Sequence, residues 1–154
     1  MVRLLDKRSV ERLQGVNPAL VQLVHEAFNL SEVPFIVTEG VRSKERQSYL
    51  FASGKSKTLL SKHLSGDAVD VAALVDGKVN WSFESYHRIA TAFKCAAAAA
   101  GVRLIWGGEW ERLLDGCHFE LASSQPHSYP LDVTVRTDTK GVSLSNLEVC
   151  DEAS

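Results

Sequence analysis

Apolar residues recur at helical spacing in three stretches of the 154-residue chain. The first stretch begins after Asn17, a residue type that caps helices. Its apolar face consists of Leu20, Leu23, Val24, Ala27 and Phe28. The second stretch begins after Ser43, another capping residue, and ends near Gly54. The third runs from Phe83 to Ala100 and stops at Gly101. The pattern therefore predicts three helices, of which the last is the longest.

Short runs of β-branched and aromatic residues between these helices predict the strands of a sheet. The run at 68–73 is apolar on both faces apart from Asp70, which predicts a central position in the sheet. The pair Asp76-Gly77 predicts a tight turn into a hairpin strand at 79–81. Further strands are predicted at 34–38, at 102–106 and around His118, and a terminal hairpin is predicted from 131 onward.

Composition is that of a single soluble domain. A chain of this length has room for one hydrophobic core, and 45% hydrophobic and 23% charged residues are ordinary proportions for a soluble protein. No apolar run is long enough to cross a bilayer, so no stable membrane insertion is expected. The N-terminal segment contains charged residues from Arg3 onward and lacks the apolar core and the cleavage site of a secretory signal. We therefore expect synthesis in the cytoplasm without a signal peptide.

Positive charge is concentrated in the first part of the chain, although the net charge is only −2. Ten basic and six acidic residues precede residue 63, against seven and thirteen after it. The cations between 42 and 62 can form an ordinary solvated helix face and loop. They can also meet an anionic polymer, either nucleic acid or the glycan peptide of a cell wall. The near-balanced charge and the lack of interleaved aromatic residues argue against nucleic acid.

Two histidines and several carboxylates supply the inventory of a zinc site with a general base. A catalytic zinc ion takes three protein ligands and keeps its fourth position open for water. His63, Asp70 and His118 would form such a set. Gly66 allows a backbone bend that turns the first two residues inward. Asp67 is an alternative to Asp70.

Asp115 is the candidate general base. Residues three apart on an ideal strand point to opposite faces, so we expect Gly116 to interrupt the strand and let Asp115 and His118 approach one metal ion. Asp115 would then take a proton from zinc-bound water and pass it to a leaving amine, while Arg42 shares the developing oxyanion charge. Glu120 is the alternative base. Together these roles amount to amide hydrolysis.

The other candidate residues have ordinary structural interpretations. Cys117 is able to bind a metal as a thiolate, but if its neighbour His118 faces the metal, Cys117 faces away. Trp106 and Trp110 either line a cleft or pack in the core. Single histidines are more often hydrogen-bonded core or surface residues. We keep that interpretation for His25, His87 and His127.

The residues around the two candidate histidines resemble a known two-part signature. The first part is Ser61-x-His63-x-x-Gly66-x-Ala68-x-Asp70, and the second is Asp115-x-x-His118-Phe119-Glu120. Both parts resemble the zinc peptidases that include VanX, VanY and the D-Ala-D-Ala carboxypeptidases. The chain is most similar to their L-alanyl-D-glutamate endopeptidase branch, which is found in phage endolysins. The resemblance runs from about 13 to 121.

The resemblance implies a fold and a set of roles. The fold is a small α+β domain in which an antiparallel sheet carries one zinc site and helices pack against the sheet. The implied roles are zinc ligation by His63, Asp70 and His118, general base catalysis by Asp115, oxyanion stabilisation by Arg42 and substrate binding by Ser61. We add Trp106 to the substrate-binding residues.

The sequence therefore predicts a zinc-dependent endopeptidase that cuts the L-alanyl-D-glutamate bond in the stem peptide of bacterial peptidoglycan. We expect a monomer with one catalytic domain at 1–154, which comprises a core at about 13–121 and a C-terminal extension at 122–154. As a phage lysin, it would reach the cell wall after the membrane is permeabilised. One alternative is a D,D-carboxypeptidase or dipeptidase acting on D-Ala-D-Ala. The other is a non-catalytic module that contains zinc and binds the cell wall.

Overall fold

The computed structural model describes residues 2–123, and the predicted terminal hairpin lies outside them. The helices are α1 (Lys7–Arg12), α2 (Pro18–Leu30), α3 (Lys44–Ala52) and α4 (Phe83–Ala100). The strands are β1 (Phe35–Glu39), β2 (Ala68–Val75), β3 (Lys78–Asn80), β4 (Leu104–Trp106) and β5 (His118–Leu121). Short 3-10 turns are found at Lys62–Leu64 and Gly107–Glu109. None of the helices within 2–123 combines the length and the apolar content that a membrane span requires.

Capping residues set the helix boundaries as predicted. The side chains of Asn17, Ser43 and Ser82 each accept a hydrogen bond from a backbone N–H in the first turn of α2, α3 and α4. Helix α4 ends at Ala100, and the residue that caps it, Gly101, has a left-handed φ of 66°. The sequence pattern does not predict α1, because its six residues are too few to show a periodic apolar face. Asp6 caps this helix.

The strands form one antiparallel sheet, and the fold is α+β as the sequence predicts. The order of strands in space is β1-β2-β5-β4, and β3 also pairs with β2. Strand β2 thus pairs with three others, which confirms its predicted central position. Asp76 and Gly77 have φ values of 51° and 72°, as a two-residue hairpin turn between β2 and β3 requires.

The two faces of the sheet have different surroundings. Successive side chains on a strand point to opposite faces, so Val69 and Val71 enter the hydrophobic core while Asp70 points to the other face. On the core side, Phe93 of α4 stacks on Phe119 of β5 with ring centroids 4.1 Å apart. The second face carries the candidate site.

A bulge in β1 brings another carboxylate onto that second face. Val37 pairs with Val71 and Glu39 pairs with Asp70, so one extra residue, Thr38, lies between the two pairs. Directly paired residues of antiparallel strands point to the same face, and Glu39 therefore shares the face of Asp70. Without the bulge, Glu39 would point into the core as Val37 does.

Replacing Gly66 by alanine should destabilise the fold more than replacing Gly101. Both residues have a left-handed φ, of 78° and 66°. A Cβ at Gly66 would lie 2.7 Å from the backbone oxygen of Gly15, whereas a Cβ at Gly101 meets nothing within 4 Å. In urea titrations we expect Gly101→Ala to lower the free energy of unfolding by about 1 kcal/mol and Gly66→Ala to lower it by about 2 kcal/mol or more. Equal losses would contradict a steric collision with Gly15.

Candidate functional site

Three ligand-type side chains from distant parts of the chain converge on the second face of the sheet. His63 Nε2 lies 3.2 Å from Asp70 Oδ1 and 3.3 Å from His118 Nδ1, and the latter two atoms are 3.1 Å apart. Ligands arranged tetrahedrally at about 2.0–2.1 Å from a zinc ion lie roughly 3.3–3.4 Å from one another. The triangle therefore fits three ligands of one small metal ion. Within residues 2–123 it is the one group of His, Cys and acidic residues close enough for this.

Each imidazole is oriented by a hydrogen bond from its other ring nitrogen. Nδ1 of His63 donates to the carbonyl of Gly40 at 2.7 Å. Nε2 of His118 donates to Glu120 Oε2 at 2.9 Å. The nitrogens that face Asp70 are His63 Nε2 and His118 Nδ1, and these are the two that a metal ion would contact. Metal-binding histidines in proteins are usually held in this way by a carbonyl or a carboxylate.

Backbone geometry delivers the three side chains to one point. Asp70 on β2 is directly paired with His118 on β5, so both side chains leave the sheet on the same face. His63 lies in the 3-10 turn before β2, and the chain returns from it through Gly66, whose φ of 78° confirms the expected bend. The Ser61 hydroxyl caps this turn by accepting a hydrogen bond from the N–H of His63 at 3.3 Å.

Hydrogen bonding determines the charge of this cluster. Burial would raise the pKa of Asp70, but hydrogen bonds from His118 and His63 outweigh burial and hold that pKa well below its ordinary value. Burial would lower the pKa of His118, but its hydrogen bonds to Asp70 and Glu120 raise that pKa to about 9. The surroundings therefore favour an ionised Asp70 carboxylate with a positive charge beside it. Without a metal ion the proton on His118 Nδ1 supplies that charge, and a bound cation would replace this proton.

Arg42 contacts the second oxygen of Asp70. Its Nη2 lies 3.4 Å from Asp70 Oδ2 and 2.5 Å from Glu39 Oε2, and its Nη1 donates to Gln47 Oε1 at 2.7 Å. The Arg42 side chain is only 8% exposed, so these contacts fix the guanidinium. Sequence patterns assign no role to Glu39 or Gln47. The bulge that turns Glu39 toward the site cannot be recognised from the order of apolar and polar residues in β1. Gln47 resembles the other polar residues of α3.

Asp115 lies in the turn that precedes β5. The strand begins at His118, whose N–H donates to the carbonyl of Asp115 at 3.3 Å, so the strand is interrupted at Gly116 as expected. Asp115 Oδ1 accepts a hydrogen bond from the Cys117 thiol at 3.0 Å. Burial, with the nearby charge of Asp70, raises the pKa of this thiol, which keeps it neutral and able to donate. Asp115 lines the same cleft as the three converging side chains.

The cleft has a volume of about 390 Å³. Other residues that line it include Arg42, Lys55, Lys57, Ser61 and Trp110. Trp106 is not among the lining residues: it is 3% exposed, and its Nε1 donates to the carbonyl of Gly116 at 2.8 Å. The ring of Trp106 is enclosed in the core beside Phe119, so its position gives no support to the expected contact with substrate. Trp110 lines the cleft instead, with its ring centroid 5.1 Å from that of His118.

The alternative candidates have other partners. Asp67 accepts hydrogen bonds from Asn17 Nδ2 at 3.0 Å and from Ser65 Oγ at 2.8 Å, and it does not line the cleft. Glu120 is the carboxylate that orients His118. The remaining histidines are two surface residues, His25 and His87, and one that lies outside the described residues, His127.

Comparison with known proteins places the chain among peptidases. A family model for the phage L-alanyl-D-glutamate peptidase matches residues 1–122. The L-alanyl-D-glutamate peptidase of Escherichia phage T5 is 32% identical in an alignment of 108 residues, with 68% of this chain and 79% of that protein covered. The peptidase of the same name from Listeria phage A118 is 31% identical over 114 residues, which cover 74% of this chain but only 37% of that protein. The crystal structure of Serratia marcescens L-Ala D-Glu endopeptidase ChiX superimposes with a TM-score of 0.72 at 47% identity, covering 75% of this chain and 87% of that one.

Glu120→Gln should weaken metal binding without unfolding the protein. The amide oxygen still accepts a hydrogen bond from His118 Nε2, but the negative charge that makes the imidazole a stronger ligand is lost. We expect the affinity for Zn²⁺, measured by competition with a chromophoric chelator, to fall roughly 10- to 100-fold. Glu11→Gln, at an exposed position on α1, is the matched control and should bind like the unaltered protein. An unchanged affinity in Glu120→Gln would contradict a role for Glu120 through His118.

Proposed function

The chain belongs to the family of phage L-alanyl-D-glutamate peptidases, and on that premise we propose that it is a zinc-dependent endopeptidase of bacterial peptidoglycan. Its reaction is hydrolysis of the amide bond between L-alanine and D-glutamate in the stem peptide. The main support is the triangle of His63, Asp70 and His118 in a cleft that also holds the carboxylate of Asp115. The names of the two phage relatives and of the Serratia enzyme support the choice of bond.

His63, Asp70 and His118 would hold one zinc ion. Three protein ligands of nitrogen and oxygen type are what catalytic zinc takes when one position stays open. When bound there, zinc would supply Lewis-acid chemistry that makes a water molecule more acidic and polarises the scissile carbonyl. The carbonyl of Gly40 and the carboxylate of Glu120 would keep the two imidazoles in their ligating orientation.

Asp115 would act first as general base and then as general acid. The Cys117 thiol already donates to Oδ1 and holds the carboxylate in one orientation, so Oδ2 is the oxygen suited to exchange a proton. In the attack on the peptide, Asp115 would accept a proton from the attacking water. In the collapse that follows, it would return this proton to the amine of the departing D-glutamate. Its ionised form is thereby regenerated for the next cycle.

Arg42 and Ser61 would bind carbonyl oxygens of the substrate. The contacts of Arg42 with Glu39, Gln47 and Asp70 fix its guanidinium before substrate arrives, and such preorganisation favours stabilisation of an oxyanion. Ser61 lines the cleft, and its Oγ accepts a hydrogen bond from the backbone. The hydroxyl hydrogen of Ser61 is therefore suited to donate to a peptide carbonyl.

We assign this activity a role in lysis of a bacterial host. Two relatives are phage proteins named as peptidases of the same bond. An enzyme made inside the host cell meets the wall only after the membrane has been permeabilised. We therefore place its action at that stage of lysis.

Digestion of purified peptidoglycan tests the choice of bond. We expect mass spectrometry to find new glutamate amino termini and new alanine carboxyl termini, and the digestion should stop on chelation and resume when Zn²⁺ is returned. Release of D-alanine without new glutamate amines would instead assign a D,D-carboxypeptidase. Binding to the wall without any new terminus would assign a non-catalytic module.

Asp115→Asn should keep the fold and the metal but lose most turnover. The amide preserves the size of the side chain and an acceptor for the Cys117 thiol while removing the group that accepts a proton. We therefore expect kcat to fall roughly 10²- to 10⁴-fold, with zinc content unchanged by elemental analysis. His118→Ala should lose zinc as well as activity.

Glu111→Gln is the matched control for the Asp115 variant. Glu111 is exposed in the same loop and does not line the cleft, so this change should leave kcat unaltered. Full lytic activity in Asp115→Asn would show that another carboxylate is the base, and Asp67 and Glu120 would then be tested in the same way.

A further inference from the structure

Two lysines line the cleft without a part in the chemistry proposed above. We propose that Lys55 and Lys57 form a subsite that binds the free carboxylate of the substrate's glutamate. This inference rests on the proposed function and deepens it. The subsite would let the enzyme distinguish an acidic residue after the scissile bond from a neutral one.

The proposed substrate carries a negative charge close to the scissile bond. Glutamate has two carboxyl groups, and only one of them can continue a peptide chain. In the stem peptide its amine is joined to L-alanine and one carboxyl group continues the chain. The other carboxyl group is therefore free and is ionised at neutral pH. The cleft must therefore accept a carboxylate only a few bonds away from the carbonyl under attack.

The cleft is already lined by three carboxylates, those of Glu39, Asp70 and Asp115. A further carboxylate entering this space is repelled unless a cation faces it. Arg42 Nη2 already pairs with two of these carboxylates, at 2.5 Å from Glu39 Oε2 and 3.4 Å from Asp70 Oδ2. Lys55 and Lys57 line the same cleft, and neither pairs with a carboxylate within residues 2–123. They are therefore the cations that remain for the substrate.

The loop that carries these lysines is anchored by a buried side chain. Gln47 is 1% exposed, and its Nε2 donates to Ser56 Oγ at 2.9 Å and to the carbonyl of Thr58 at 2.6 Å. The N–H of Ser56 also donates to the carbonyl of Leu50 at 3.0 Å. The backbone beside both lysines is thus fixed, while the lysine side chains themselves are exposed. This combination suits recognition of a carboxylate that remains partly in water.

A pair of peptides that differ only in this carboxyl group tests the subsite. One peptide contains L-alanyl-D-glutamate with the free carboxylate, and the other contains the primary amide, which has similar size and no charge. The unaltered protein should cleave the carboxylate peptide with a kcat/KM about 3- to 10-fold higher at low ionic strength, mainly through KM. The double change Lys55→Gln and Lys57→Gln should remove this preference by slowing cleavage of the carboxylate peptide alone. Added salt should reduce the preference of the unaltered protein.

The double change Lys44→Gln and Lys78→Gln is the matched control. It alters the net charge equally at two exposed lysines that do not line the cleft, so the preference should stay. Equal cleavage of both peptides by the unaltered protein, or an undiminished preference in the Lys55 and Lys57 variant, would overturn the subsite and leave the proposed function intact. Loss of cleavage of both peptides by that variant would also overturn it, because the lysines would then act on the fold or the reaction. Cleavage of neither peptide by the unaltered protein would overturn the proposed function and the subsite together.

Discussion

The site depends on how one carboxylate, that of Asp70, is accommodated. It lies on the central strand with its side chain 17% exposed, and an ionised carboxylate in such a place is costly unless hydrogen-bond donors or cations surround it. Its partners come from three separate segments: the turn that holds His63, the strand that holds His118 and the segment after β1 that holds Arg42. Satisfying this one charge therefore fixes three parts of the chain relative to one another. The same contacts assemble the triangle of candidate metal ligands.

The alternation of side chains along the strands separates stability from chemistry. Val69, Val71 and Phe119 are fully buried on the core face. Asp70 and His118, which are their neighbours in sequence, point to the cleft. A shift of one residue in strand pairing would exchange the two faces and expose the apolar set to solvent. The hydrophobic core therefore opposes such a one-residue shift, which would also turn candidate ligands away from the cleft. In this sense, core packing helps to align the candidate metal ligands.

The sequence predicts those parts of the structure that depend on local chemistry. Capping residues and apolar spacing identify α2, α3, α4 and the central strand, because both signals act within a few residues along the chain. The convergence of His63, Asp70 and His118 follows from residue types and from a family resemblance. The orientation of Glu39 and Trp106 does not follow, because the bulge or register that turns a strand residue toward core or cleft is a tertiary property. Glu39 is turned toward Asp70 by a bulge, and Trp106 is enclosed by aromatic packing.

Gln47 connects the candidate metal ligands with the loop proposed to bind the substrate. Its Oε1 accepts from Arg42, which in turn contacts Asp70, and its Nε2 donates to Ser56 and Thr58. A glutamine amide presents an acceptor and a donor from one planar group, and this network uses both. Glutamate in its place would set a negative charge against the Thr58 carbonyl. Leucine would leave the buried guanidinium N–H of Arg42 without its acceptor, a loss that is expensive for a buried group. The requirement for a donor and an acceptor together explains why an uncharged polar residue is buried on α3. It also means that one side chain holds both Arg42, which contacts Asp70, and the loop that carries Lys55 and Lys57.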